Sequence, residues 1–560
     1  MIRTKIISSL EKPFIDEKID KFDRLEKISA LRGETVRFQI IYDNENGSYD
    51  IFTSLLRITP KDSLADFVTI RNVRHMPVDM PYHRELTEDY IRTTPGLFPD
   101  LLEPLSNGGR IRYAKDYLAA VWVDLEIPSD FKAGEYTLAF EIKQDTEDIG
   151  LRQENEYDGK ESITIEIIDA VLPKQSIIFS QWLHCDCLAQ YYNVPVWSER
   201  HWEIVENFVR TAVKNGINAI FTPIFTPPLD TARGHERLTT QLITVKKTNG
   251  RYFFNYKLLD RWIDMCRRAG AEYYEISHLF TQGGATNAPK IMATVDGEYK
   301  RIFGWETDAC DAEYKKFLRC FLKSFISHMK KLGEDKKCLF HISDEPNEKQ
   351  LENYKSAKKV VGNILKGYRI IDALSDYDFY KKGLVKSPIA MTNALKPFLE
   401  NNVPDLFAYN CMLPYKTYSN RFVAFSGQQN RSIGMQLFKY RLKGFLHWGY
   451  NFYNNRHSLD PINPFYDLTA DKWVAAGDTF SVYPAPNGEA LESTRICVFT
   501  DALQDIRAMQ LCESLYSHDE VVRAIEEELN DTLTFERCAR TGEEMLRIRE
   551  RINKMIKERI

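Results

Sequence analysis

From Thr35 to Ile142 apolar and polar residues alternate in short runs. Thr35–Tyr42, Asp50–Arg57, Ala119–Ile127 and Tyr136–Ile142 place apolar side chains at every second position. That period, with turn residues at Pro128-Ser-Asp130 and Ala133-Gly134 between runs, predicts half-buried strands and a β-sandwich over residues 1–172. The stretch Pro95–Pro104 is punctuated by prolines and reads as an excursion with no regular element. Asp169-Ala-Val-Leu-Pro173 closes the last strand and marks a domain boundary.

Past residue 174 the rhythm becomes strand then helix, repeated. Apolar runs at Ile177–Trp182, Ala219–Thr222, Glu272–Ser277, Lys337–Ile342, Tyr368–Ala373, Pro388–Met391, Leu406–Tyr409 and Gly444–Trp448 read as strands. Trp202–Lys214, Lys257–Arg268, Glu313–Lys331 and Glu348–Val361 carry the spacing of amphipathic helices. Eight such strands over about 275 residues predict an α/β fold, a TIM-like (β/α)8 barrel spanning 173–500. The excursion after the third strand, about 30 residues with Gly283-Gly284 and Asp296-Gly297, lies on the barrel's active-site face and reads as a lid. Beyond Tyr450 the chain is irregular and proline-rich to Pro486. A charged helical extension is expected over 501–560, its leucine/isoleucine stripe on the barrel and its charges, Glu526-Glu-Glu528 and Arg547–Arg551, in solvent.

At 560 residues the chain is too long for one core, which agrees with this division. Its 75 basic and 80 acidic residues leave a net charge of −5, so nothing points to nucleic acid or an anionic membrane. No apolar run reaches the roughly 18–20 residues of a membrane span. The first residues lack a signal peptide's apolar stretch, so a cytoplasmic protein is expected. No sequence feature speaks to oligomeric state. Cys185-Asp-Cys187, beside His184, lacks the second ligand pair of a zinc site, so buried thiols are expected, with no metal and no cofactor. The 29 Tyr, 32 Phe and 8 Trp exceed ordinary core needs and suit a carbohydrate site, where rings stack on sugar faces.

The candidate chemistry sits at Ser343-Asp-Glu-Pro-Asn347, where the fourth strand stops and a helix follows. Adjacent side chains on a regular strand point to opposite faces, so Asp344 and Glu345 converge only if the strand ends there. Two close carboxylates resist double ionisation, leaving one protonated acid beside one carboxylate, the pairing used for glycoside cleavage. On these residues alone a structural alternative stands: acids favoured at a helix N-terminus.

Other candidates lie at strand ends. Trp448 is a candidate sugar floor or a packing tryptophan, and Tyr450 shares its face if the eighth strand stays regular. Tyr409 and Asn410 end the seventh strand and are placed to meet a bound sugar or to pack and anchor a loop. Asn393 ends the sixth, Ser375 and Asp376 follow the fifth, and His184 and Asp186 follow the first. His278 follows the third, and His341 inside the fourth reads as a satisfied core histidine.

His341-Ile-Ser-Asp-Glu-Pro346 after an apolar strand resembles glycoside hydrolase family 123, the β-N-acetylgalactosaminidases and their relatives. Gly444-Phe-Leu-His-Trp-Gly-Tyr-Asn451, Asp460-Pro461, Gly477-Asp478, Tyr483-Pro484, Ser493-Thr-Arg495 and Asp501–Asp505 are similar to its last strand, loop and closing helix. Asp124–Pro128 and Ala133–Tyr136 extend the resemblance to the N-terminal domain, nearest to clostridial-type members. It implies a retaining exo-β-N-acetylgalactosaminidase releasing terminal β-linked GalNAc from glycolipid-type glycans. The substrate's own acetamido oxygen would attack the anomeric carbon to give an oxazoline. Asp344 would orient the acetamido N–H, and Glu345 would act as acid, then base. A glycosidase of other specificity, or a glycan-binding protein without turnover, are the alternatives.

Overall fold

A computed structural model describes residues 2–44, 54–105, 109–114, 116–145, 157–346 and 350–560. The first residues of the expected strand Asp50–Arg57, and Asn347 and Glu348 after the acidic pair, lie outside the described residues.

The N-terminal region forms two five-stranded sheets packed face to face. One holds, in spatial order, Ile2–Ser8, Thr35–Asn44, Ala119–Glu126, Val68–Val78 and Gly96–Pro104. The other holds Lys27–Arg32, Asp158–Val171, Gly134–Asp145, Ser54–Lys61 and Arg110–Tyr113. Phe38, Ile40, Val121 and Val123 of the first meet Phe140, Ile142, Ile163 and Ile165 of the second, as the two-residue period requires. The first sheet is buried on its other face too, where Ile7, Ile41, Trp122 and Leu101 join the core of the barrel.

The proline-punctuated stretch expected to be irregular is a strand. Gly96–Pro104 pairs with Val68–Val78 at the sheet edge, where a proline without an N–H is tolerated.

Eight parallel strands close the barrel: Ile178–Gln181, Ala219–Thr222, Tyr273–Ile276, Cys338–Phe340, Arg369–Ala373, Ser387–Met391, Phe407–Tyr409 and Gly444–His447. The eighth pairs with the first from Ile178↔Gly444 to Gln181↔His447. Gly444 sits where an added Cβ would lie 2.7 Å from the Ile178 carbonyl, so the seam admits no side chain there. Ile178, Phe221, Leu339, Ile371, Ile389, Phe407 and Leu446 fill the interior. Helices Glu199–Lys214, Lys257–Ala269, Ala312–Leu332 and Leu351–Val361 cover the first half of the barrel, whereas the helices after strands five and six span only 5 residues each.

The excursion after strand three is a built sheet. Ile291–Val295 and Glu298–Phe303 form a hairpin around Asp296 (φ 47°) and Gly297 (φ 100°), a left-handed pair suited to a two-residue turn. It adds to a second hairpin, Thr244–Thr248 with Arg251–Asn255, turned at Asn249-Gly250, giving four strands.

Three helices end the chain: Thr494–Leu515, His518–Leu529 and Gly542–Lys557. The first begins before residue 501 and is buried on every face through most of its length. Arg549 of the last, expected in solvent, is buried between Asp505 and Glu34 at 2.9 and 2.7 Å. Among the described residues no helix is long and apolar enough to cross a membrane.

Candidate active site

The fourth strand delivers His341-Ile-Ser-Asp344 to the barrel mouth, where neighbouring loops fix it. Ser343 Oγ donates to the Thr281 carbonyl (2.9 Å) and accepts from Ala285 N–H (3.0 Å), while Gly283 N–H donates to the Asp344 carbonyl (3.2 Å). Glu345 N–H donates to the Ala373 carbonyl at the end of strand five (3.0 Å). Glu345 has φ +42°, a left-handed backbone that costs a non-glycine residue about 1–2 kcal/mol. This break in the strand's alternation lets two consecutive carboxylates line one cleft.

The pair is held asymmetrically. Asp344 is 7% exposed, and burial, then the charges of Glu345 and Asp230, hold its carboxyl well above the usual range against the opposing pull of His341. Glu345 is exposed and accepts from the Tyr409 hydroxyl at 2.6 Å across the barrel mouth. The described helix that follows is Leu351–Val361, with Gln350 as its N-cap.

The cleft holds a cavity of about 170 Å³. Trp182, Tyr409, Trp448 and Trp473 give it aromatic walls, and Asp230, Asp344, Glu345 and Asp478 give it four carboxylates. Among the described residues no Lys, Arg or His lines it. Trp448 Nε1 donates to Asp478 Oδ2 (3.1 Å), fixing the indole, and Trp473 stands 5.7 Å from it. Gly449 lets the chain cross Thr479 closely, since a Cβ there would lie 2.5 Å from the Thr479 carbonyl. Burial pushes Asp478 up to about 7 despite nearby Arg421. Burial likewise raises Asp230 to about 6, with Arg237 opposing and Glu345 reinforcing. Such a cleft asks for a ligand with apolar faces and many hydrogen-bond donors.

Beneath Asp344, His341 links two buried acids. Its Nε2 lies 2.6 Å from Glu275 Oε1 and its Nδ1 3.5 Å from Asp372 Oδ1. Trp182 Nε1 donates to Glu275 (2.7 Å), while Ile342 N–H (2.8 Å) and the Tyr354 hydroxyl donate to Asp372. Burial alone would lower the imidazole, but Asp372 and Glu275 outweigh it and raise His341 to about 9. The core histidine thus lies between the acids of strands three and five, beneath the end of strand four.

Of the expected site residues, Asp344, Glu345, Tyr409 and Trp448 meet in the cleft and the others do not. Tyr450 parts from Trp448 because the strand ends at His447; its fully buried hydroxyl donates to the Phe208 carbonyl (2.9 Å). Asn410 is buried and donates to the Ser419 carbonyl (3.1 Å). His184 lies behind the wall, Nε2 3.0 Å from the Trp448 carbonyl and Nδ1 3.1 Å from Arg237. Burial and then Arg237 push His184 down to about 3, so its neutral ring accepts a hydrogen bond from Arg237 at Nδ1 and donates one to the Trp448 carbonyl from Nε2. Asn393 is exposed on the turn Thr392–Ala394, outside the cleft. Asp186 is clamped by Arg237 at 2.6 and 2.7 Å, Cys185 and Cys187 are buried, and Asp376 caps Tyr377–Lys381. Among the described residues no cluster of His, Cys, Asp and Glu is arranged to hold a metal ion.

Sequence reasoning did not select Trp182, Asp230, Gln282, Met412 or Trp473 for the site. Trp182 ends an expected strand, which was a usable signal. The others sit in aperiodic loops, whose approach depends on the closed barrel.

Residues 182–512 match the family model described as Glycoside hydrolase 123, catalytic domain. A family 123 glycoside hydrolase from Clostridium perfringens, solved to detail glycolipid glycan hydrolysis, shares the fold at TM-score 0.73 and 15% identity, over 100% of this chain and 97% of that one. Bacteroides thetaiotamicron EndoBT-3987 with Man5GlcNAc product aligns at 9% identity over 83% of this chain and 96% of that one, with a TM-score of 0.22 that carries no argument. No curated protein matches the sequence.

Proposed function

The chain belongs to glycoside hydrolase family 123, and on that premise we propose that it is a retaining exo-β-N-acetylgalactosaminidase acting on terminal β-linked GalNAc, with glycolipid-type glycans as its substrate class. The observation that carries this reading is the left-handed turn at Glu345, which puts two consecutive carboxylates on one cleft beneath tryptophan walls.

In the proposed reaction the 2-acetamido oxygen attacks the anomeric carbon as the bond to the leaving oxygen breaks, and Glu345 gives that oxygen its proton. Attack from within the substrate gains a high effective concentration. Asp344 accepts the acetamido N–H and stabilises the positive charge that grows there. Burial and the Glu345 charge hold the Asp344 carboxyl up before substrate binds, and an N–H donor arriving there favours its carboxylate. Water then opens the oxazoline, with Glu345 taking its proton and the Tyr409 hydroxyl keeping the carboxyl in place. The exposed acid is thus the one placed to reach both leaving group and water.

Aryl β-GalNAc, β-GlcNAc and β-galactoside substrates test the reading together. Turnover of the GalNAc compound above the GlcNAc one, with none of the galactoside, is expected. Cleavage of the plain galactoside would contradict the acetamido mechanism, and folded protein inert to all three would leave a binding protein.

A further inference from the structure

Three of the four carboxylates in the cleft have an evident employment: Asp344 and Glu345 in the reaction, and Asp478 on the Trp448 indole. Asp230 has none, yet three loops of the barrel mouth fix it. Its N–H donates to Gln282 Oε1 (2.8 Å), its carbonyl accepts from Ser458 Oγ (2.7 Å), and Ala232 N–H donates to the His457 carbonyl (3.1 Å). Its φ is +42°, strain that persists in a non-glycine residue only where surroundings over-determine it.

The Gln282 amide orientation follows from these contacts. Its oxygen takes the Asp230 N–H, and the Gln282 side chain also favours the charged form of the Asp230 carboxyl. Arg237 is the cation nearest in effect, but four of its five N–H donors go to Asp186, His184 and the Leu229 carbonyl, and no hydrogen bond from it to Asp230 forms among the described residues. Among the described residues no salt bridge reaches Asp230. The Asp230 carboxyl therefore has acceptor capacity left over, which hydroxyl donors of a ligand in the cleft can fill.

The sugar's orientation says which donors those are. With the acetamido arm on Asp344 and the glycosidic oxygen on Glu345, positions 2 and 1 of the ring are taken. The remaining ring hydroxyls, O4 and O6 among them, are left for the rest of the cleft lining, which includes Asp230. We propose that Asp230 is a specificity-determining residue whose carboxylate, steadied by Gln282, accepts hydrogen bonds from the O4 and O6 hydroxyls of the bound hexosamine. This rests on the glycosidase reading above. It also gives the selection of an axial over an equatorial O4 a physical origin, since only one epimer directs that hydroxyl at a carboxylate in a fixed place.

The test compares kcat/KM on an aryl β-GalNAc and its 4-deoxy and 6-deoxy counterparts, for the wild type, Asp230→Ala and Asp230→Asn. The wild type should lose on the order of 10- to 100-fold when a contacted hydroxyl is removed, as expected for hydrogen bonds to a charged group. In Asp230→Ala the parent activity should fall similarly while the deoxy penalty shrinks to about 3-fold or less, because the partner is already gone. Gln282→Leu, which leaves the carboxyl in place, should shrink the penalty partly, and it serves if the Asp230 variants do not fold. Deoxy penalties that are absent in the wild type, or unchanged in the variants despite lower activity, would overturn the proposal while leaving the glycosidase reading intact. A wild type inert to the parent substrate would instead overturn both.

Discussion

At the scale of the residue, the site turns on where single protons are held. Asp478 is fully buried with its carboxyl raised to about 7. A carboxyl raised on folding binds its proton more tightly in the native state. Below the ordinary aspartate value, near 3.8, both states are protonated and nothing is lost. Between there and about 7 the unfolded state ionises first, so stability falls as pH rises. Asp478→Asn removes that penalty and keeps an oxygen for the Trp448 indole. It should match the wild type near pH 4 and exceed it by roughly 2–4 kcal/mol at pH 8. Urea denaturation at the two pH values checks this, and equal stability at pH 8 would show that Asp478 is already satisfied as an anion.

At the scale of the element, the end of strand four is made by the imidazolium beneath it. His341 is raised to about 9 between Glu275 and Asp372, so its contribution is full below about 6.5 and is lost as pH climbs through 9. His341→Gln leaves two buried acids facing each other and should cost about 3–5 kcal/mol at pH 6.5, with a flatter alkaline limb than the wild type. Stability that parallels the wild type across that range would mean the histidine is neutral. The strands themselves were legible: the eight apolar runs from Ile177 to Trp448 match the barrel strands within a residue or two. The run at Cys338–Ile342 also marked where chemistry would gather, but nothing local forecasts the left-handed backbone at Glu345 that completes the site. Gly96–Pro104 was obscured because its prolines are permitted only by an edge position, a property of the sheet and not of the segment. The hairpin at Asp296-Gly297 carried a readable turn dipeptide whose flanking alternation, Ile291–Val295 and Glu298–Phe303, went unused.

At the scale of the whole molecule, buried ion pairs join the sandwich to the barrel through the helix Thr494–Leu515. Arg495 clamps Asp100 of the edge strand at 2.8 and 2.9 Å, with the Tyr483 hydroxyl on the same carboxylate at 2.5 Å. Arg37 bridges Asp124 and Asp501, and Asp505 takes both Arg431 and Arg549. Many family-like residues remote from the cleft, among them Asp124, Tyr483, Arg495, Asp501 and Asp505, fall in this seam, so their sequence signal is architectural. Sequence alone could not separate them from site residues, because a buried structural acid and a catalytic one are spelled alike. Asp100→Asn strands the Arg495 charge and should destabilise the protein by about 3–5 kcal/mol. A loss under 1 kcal/mol in equilibrium denaturation would mean that the domains do not depend on this pair.

The division of labour between Asp344 and Glu345 is tested most directly by leaving-group dependence. On an aryl β-GalNAc with a poor leaving group, Glu345→Gln should lose on the order of 10²–10⁴-fold in kcat/KM, and most of that should return with a leaving group needing no proton. Asp344→Asn should be impaired on both. Equal losses for Glu345→Gln on the two substrates, or rescue of Asp344→Asn by the better leaving group, would contradict the assignment.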